Sequence, residues 1–176
     1  MQKSLMDAIV LTDYGQIDLV WSWDGGFDGD VDRFFAGQVN GLVGVGDPDG
    51  VYVHLARRSG GSHVQVVLSS AAPPLADGPW EDVVEVSLTI PSEIGVRVTS
   101  WAGESSWPLE LPAGSYRLRV SARGRDAGAA DEFVDQVVDH YLLQLWPSPP
   151  EPDAIIRVGS QNARYFHAEW GSRRDK

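Results

Sequence analysis

Hydrophobic and polar positions alternate along most of this chain. In "VVEVSLTI", Val84, Val86, Leu88 and Ile90 fall on one face and Glu85, Ser87 and Thr89 on the other. "SYRLRVSAR" repeats the pattern, with Tyr116, Leu118, Val120 and Ala122 set against Arg117, Arg119, Ser121 and Arg123. A period of two over this length marks a strand with one buried face, because successive side chains point to opposite sides of a sheet. "VYVHLARR" and "HVQVVLSS" flank "SGGS", which predicts a hairpin with a four-residue loop. "DAIVLT" and "QIDLVWSW" predict a second pair across "DYG". "IGVRVTSW", "HYLLQLW" and "AIIRVG" add further strands. Turn residues punctuate these runs at Asp47–Gly50, Ala76–Pro79 and Pro112–Ser115.

A helical period occurs in "SQNARYFHAEWG". Ser160 can cap it, Ala163, Phe166 and Trp170 share a stripe, and Gly171 can end it. "WPSPPEPD" (Trp146–Asp153) reads as a stiff polyproline connector, too short to separate domains. The expected fold is all-β: one domain over residues 1–176, an antiparallel β-sandwich with one short C-terminal helix. Its core should contain Val53, Leu55, Val66, Leu68, Val84, Val86, Leu88, Ile90, Val96, Val98, Leu118 and Val120.

Charge narrows the possible roles. The 176 residues carry a formal net charge of -11 and contain no cysteine. Disulfides and thiolate metal sites are therefore excluded. So acidic a chain repels nucleic-acid backbones and anionic membrane surfaces, since binding to either requires clustered cations. No apolar run approaches the ~18 residues of a membrane helix, and the N-terminus lacks a signal-peptide pattern. The expectation is a cytoplasmic protein.

The acid is clustered. "SWDGGFDGDVDRFF" places Asp24, Asp28, Asp30 and Asp32 within nine positions, with Arg33 as the nearby cation. Asp28, Asp30 and Asp32 imitate the first ligands of a calcium-binding EF loop. That loop requires glycine at its sixth position and glutamate at its twelfth, where this chain has Arg33 and Val39. The EF pattern therefore fails, while a looser calcium site between strand-connecting loops stays open. A second cluster, "RDAGAADEFVDQVVDH", contains Asp126, Asp131, Glu132, Asp135 and Asp139. The two form one anionic surface if they lie at the same end of the fold.

Catalytic signatures are missing. There is no G-x-S-x-G elbow, no HExxH and no CxxC. The glycines of "GLVGVGDPDG" lack the lysine of a phosphate loop. On the predicted hairpin His54 and His63 share an outward face about 13 Å apart, counting ~3.3 Å per residue, too far to share a metal. No cofactor and no tight metal site are expected. Seven tryptophans either fill the core or, if Trp21, Trp23 or Trp107 are exposed in a row, stack on sugars.

Three segments carry a resemblance: "VVEVSLTIPSEIGVRVTSW", "LELPAGSYRLRVSARGRD" and "YLLQLWPSPPEPD", with "YGQIDLVW" nearer the N-terminus. This order is similar to that of the competence protein J family, small bacterial β proteins, over Asp13 to Asp153. The resemblance implies an acidic, non-enzymatic inhibitor of a nuclease. It carries over no binding residues, and the loop-rich stretch Asp24 to Gly50 departs from it.

The resulting expectation is a non-catalytic binding protein, of inhibitor or immunity type. Asp24, Asp28, Asp30, Asp32, Asp131, Glu132 and Asp135 would engage a basic protein such as a nuclease or toxin. A carbohydrate- or calcium-binding β-sandwich module is the first alternative. A hydrolase using two carboxylates ~5–10 Å apart is the second.

Overall fold

The computed structural model describes residues 1–21, 29–92, 95–131 and 134–171. The elements, in chain order, are β1 (Gln2–Thr12), β2 (Gln16–Val20), α1 (Val31–Phe34), β3 (Val43–Gly44), β4 (Gly50–His54), β5 (Gly60–Ser69), β6 (Asp82–Ile90) and β7 (Val96–Ser100). A 3-10 turn (Trp101–Gly103) then leads to β8 (Ser106–Leu109), β9 (Gly114–Arg123), α2 (Arg125–Ala130), β10 (His140–Pro147), β11 (Ala154–Arg157) and α3 (Gln161–Glu169).

The strands form two sheets. One has the order β1-β5-β10-β9-β6-β11, the other β3-β4-β2-β7-β8. The alternating runs contribute apolar faces from both sheets to one continuous core, including Val10, Ile17, Leu19, Val53, Val66, Val86, Val98, Leu118 and Leu143. The expected core residues are all buried, except that Leu68 is half-buried against the same cluster. Period two works here because alternate residues of the strands reach this shared apolar core.

Pairing between the runs differs from the local reading. β1 and β2 do not pair across Asp13–Gly15: β1 joins β5 in the six-stranded sheet, while β2 lies between β4 and β7 in the other. β4 and β5 likewise separate into different sheets, so "SGGS" closes no hairpin. The sheets are not wholly antiparallel, since β10 runs parallel to β5 with His140 beside His63. The first two departures share one cause. A short connection can cross between layers as readily as it can turn back, and the choice depends on which apolar faces meet.

The polar faces are also less exposed than alternation suggests. Arg117 and Arg119 are 4% and 7% exposed. Both guanidinium groups engage the Glu85 carboxylate, at 3.2 and 2.9 Å. They also donate to carbonyls of the covering segments, Arg117 to Glu151 and Pro152, Arg119 to Pro73 and Pro74. The proline-rich connector thus lies across the outer face of the six-stranded sheet and satisfies its charges.

Helix is not confined to the C-terminus. α3 occupies the expected stretch, with Ser160 Oγ accepting from the Ala163 N–H. Buried Asp82 accepts from Gly159 N, Ser160 N and Ser160 Oγ, so the helix start is anchored to β6. α1 and α3 lie over the outer side of the five-stranded sheet, where Phe34, Phe35, Tyr52 and Trp170 pack together. All five residues of β2 and of β4 are consequently buried.

α3 fits closely because two glycines allow it. A Cβ on Gly41 would stand 1.9 Å from the Phe166 carbonyl oxygen, and one on Gly171 would stand 2.0 Å from that of Val39. Gly41→Ala is expected to cost about 2 kcal/mol or more through forced displacement of α3. Urea unfolding checks this, and an unchanged midpoint would contradict it.

Candidate partner-binding surface

The first acidic cluster is built at the start of α1. Asp30 is its N-cap: one carboxylate oxygen accepts from the Arg33 N–H (3.2 Å) and the other faces the Arg33 guanidinium (3.4 Å). Arg33 also donates from Nε to Asp47 (3.1 Å), whose second oxygen accepts from the Asp49 N–H. Arg33 therefore bridges two acidic turns, the Asp30–Asp32 turn and the Asp47–Gly50 turn before β4. Asp30 and Asp32 are exposed, and Asp47 is largely enclosed. Asp24 and Asp28 lie outside the described residues. Such half-exposed pairs add little stability. Their consequence is positional, because they gather aspartates from two loops at one end of the sheet.

Beside Asp47 is a recess of about 290 Å³, lined by Trp21, Pro48, Ser87, Thr89 and Pro150 among others. The Trp21 indole N–H donates to the Pro48 carbonyl (3.0 Å) and fixes this wall. The participation of Asp47 and Asp49 was not anticipated. "DPDG" was a turn signal, and only the fold brings that turn to Arg33.

The second cluster is elsewhere. Asp131 ends α2 and is exposed, as is Asp135, while Glu132 lies outside the described residues. Asp131 lines a recess together with His54, Ala56 and Arg58, at the far end of β4 from Gly50. Five strand residues, at ~3.3 Å each, separate the two ends of β4 by roughly 13 Å. The structure therefore does not merge the described members of the two clusters at one end of β4.

The second segment has its own anchor. The guanidinium of Arg57, 2% exposed, donates to the carbonyls of Ser59, Gly61, Gln136 and Val134. No carboxylate is among these partners. Arg57 clamps the backbone of the acidic segment and leaves Asp135 facing solvent. A Cβ on Gly60 would lie 2.5–2.7 Å from this guanidinium, so glycine there makes room for the clamp.

The histidines are not disposed as the sequence suggested. His54 is buried against Phe166 and Trp170. His63 instead meets His140 across the parallel pair, Nδ1 to Nδ1 at 3.3 Å, and its Nε2 donates to Asp7 (2.7 Å). The bonds from His63 and then Gln65 hold the Asp7 carboxyl below its ordinary range. Burial, followed by the charge of Arg123, lowers the pKa of His140. Among the described residues no three histidine or acidic groups stand close enough to hold a metal ion. The tryptophans form no exposed row there either. Trp21 and Trp146 are buried, Trp107 packs on the core, and Trp23 is outside the described residues.

Two sheets of this order, short helices over one of them and acidic connecting loops make an all-β protein of a recognisable fold. The chain shares that fold with ComJ from Bacillus subtilis, described as an inhibitor of the DNA-degrading activity of NucA. The match covers 84% of this chain and 99% of that one, with a TM-score of 0.58 and 17% identity. It is also similar to the crocagin biosynthetic gene J product over 85% and 99% of the two chains, with a TM-score of 0.51 and 16% identity. No protein-family profile matches the sequence, and no curated protein matches it. No described helix is long and apolar enough to cross a membrane.

Proposed function

We propose that this protein is a non-catalytic, inhibitor-type binding protein with a sandwich architecture, and that it engages a basic protein partner such as a nuclease. The observation that carries this is the fold shared with ComJ over nearly all of that protein. The net charge of -11 supports a basic partner. The Asp30–Asp32 turn and the neighbouring Asp47–Asp49 turn form the primary contact surface, extended by Asp24 and Asp28. The recess beside Asp47 accepts a cationic side chain of the partner. The segment of Asp131, Glu132 and Asp135 is a second contact, with Arg57 holding the backbone at Val134 and Gln136 on either side of Asp135.

The test is association kinetics with a panel of basic nucleases at ~20 and ~300 mM salt, with residual DNA degradation measured in parallel. Exposed charges set association rate more than lifetime, and screening weakens them over a Debye length of ~8–10 Å. Changing Asp24, Asp28, Asp30 and Asp32 to asparagine should leave the melting temperature nearly unchanged, because asparagine also caps helices. The same variant should slow association about tenfold at low salt and far less at high salt. Equal rates for variant and wild type would remove this loop from the interface. If no basic nuclease in the panel is bound or inhibited, the proposal fails.

A further inference from the structure

The recess at the His54 end of β4 has a different chemistry from the acidic turns. Its volume is about 550 Å³, within the ~300–1,000 Å³ range of small-molecule sites. Tyr14, Phe166 and Trp170 supply aromatic wall, and His54, Asn162 and Arg58 supply polar groups. Phe166 and Trp170 pack at 4.6 Å between centroids, and His54 lies against both, at 4.1 and 4.9 Å. Tyr14 takes a left-handed φ of 57°. That conformation is uncommon for a non-glycine residue and often marks functional positions. Arg58 lies over its ring at 5.5 Å.

The orientation of the polar groups is set from behind by Arg125, which is 1% exposed. Arginine has only donors. Its Nε and Nη2 both reach Asn162 Oδ1, at 3.1 and 2.8 Å, which turns the Asn162 oxygen inward and leaves the amide NH₂ on the other side. Nη2 also donates to His54 Nδ1 (2.7 Å), so that nitrogen is an acceptor and the proton sits on Nε2. Burial, and then the charge of Arg125, hold the His54 pKa far below its ordinary value and keep one neutral tautomer. Nη1 donates to the His54 carbonyl (2.9 Å). Asp126 turns both carboxylate oxygens onto the backbone N–H groups of Gln161 and Asn162, which fixes the start of α3.

Among the described residues, none of the hydrogen-bond acceptors of Arg125 is a carboxylate. Its buried charge therefore faces two residues whose remaining polar ends, His54 Nε2–H and the Asn162 NH₂, are donors. With the Arg58 guanidinium at the rim, the recess presents three donor groups between aromatic walls. Asp131 is the acidic group at its edge.

The geometry points to a binding site for a small aromatic carboxylate. The ring would stack against Phe166, Trp170 or Tyr14, and the carboxylate would accept from His54 Nε2, Asn162 Nδ2 and Arg58. A preorganised donor set gains from an anion because its orientation is held before the ligand arrives. The site stands apart from the Asp30–Asp47 surface and does not depend on that surface binding a partner.

The test titrates full-length protein calorimetrically with indole-3-acetate, with tryptamine and indole as cationic and neutral counterparts. Saturable one-site binding of indole-3-acetate is expected, at least tenfold tighter than either counterpart. Asn162→Asp keeps an oxygen for Arg125 but replaces the outward NH₂ with an acceptor. It should weaken binding at least tenfold without lowering the melting temperature. Arg58→Gln, at an exposed position, should weaken it severalfold, and the fourfold Asp→Asn variant should bind as wild type does. The inference is overturned if indole-3-acetate does not saturate, if tryptamine binds as well or better, or if N162D and R58Q both leave affinity unchanged.

Discussion

Replacing Arg57 with alanine is expected to lower the unfolding free energy by about 3 kcal/mol or more, and to loosen one segment before the rest. The guanidinium is buried and donates to four carbonyls drawn from two stretches distant in sequence. Hydrogen bonds involving a charged group contribute about 1.5–3 kcal/mol each, and stranded acceptors cost more unless water reaches them. Val134 is half-buried and Gln136 exposed, and without the guanidinium no hydrogen bond among the described residues holds their carbonyls to the Arg57 backbone turn. Hydrogen exchange should therefore accelerate first over the described residues from 134 to 138, with the strands little changed. Lysine should not rescue the effect, because its three donors radiate from one atom and cannot span carbonyls arranged around a planar group. If the segment forms a contact, Arg57→Ala also weakens partner binding while every carboxylate remains. A urea midpoint equal to that of wild type would show that the clamp contributes little.

Asp18→Asn is expected to act in the opposite direction and only above mildly acidic pH. Asp18 lies in the middle of β2, 5% exposed, and the one hydrogen bond of its carboxyl among the described residues comes from Gln16 Nε2 (2.9 Å). Burial raises its pKa to about 7, against a smaller downward effect of the Gln16 bond. The folded protein thus holds a proton that the unfolded chain releases near pH 4. Stability from this group is fully present below about pH 4, falls as pH rises from about 4 to 7, and stays low above that. A rise of about three units corresponds to about 4 kcal/mol, at about 1.4 kcal/mol per unit. Asparagine reproduces the shape of the neutral acid and keeps an oxygen for Gln16. The variant should match wild type near pH 4 and exceed it by about 2–4 kcal/mol at pH 8. Urea unfolding of both proteins across this range checks the sign, since other titrating groups cancel in the difference. A constant difference between pH 4 and 8 would contradict it.

What could be read along the chain was whatever depends on neighbours in sequence. Val84 to Ile90 and Tyr116 to Ala122 announced their buried faces because each strand's alternation is its own. Ser160 announced the start of α3 because a cap bonds to an amide three residues on. The clusters of aspartate were visible as composition, and Asp30 and Asp32 are indeed exposed. Pairing was a different matter. Nothing in "DYG" or "SGGS" states whether the next strand turns back or crosses to the other sheet, because both routes bury equally apolar residues. That choice separated β1 from β2 and moved His54 from a solvent face to a buried aromatic group.

The same reason explains the sites. The Arg33 bridge joins Asp30 to a residue 17 positions away, and the Arg57 clamp reaches 79 positions to Gln136. The Arg125 network joins β4, α2 and α3. Local sequence determined which residues could form strands, caps and charged turns, because those propensities act over a few residues. Tertiary structure alone decided which charges are buried, which donors face a common recess and which acids share one end of the sheet. Those outcomes depend on long-range packing, where the cost of burying a charge is offset only by partners the fold supplies.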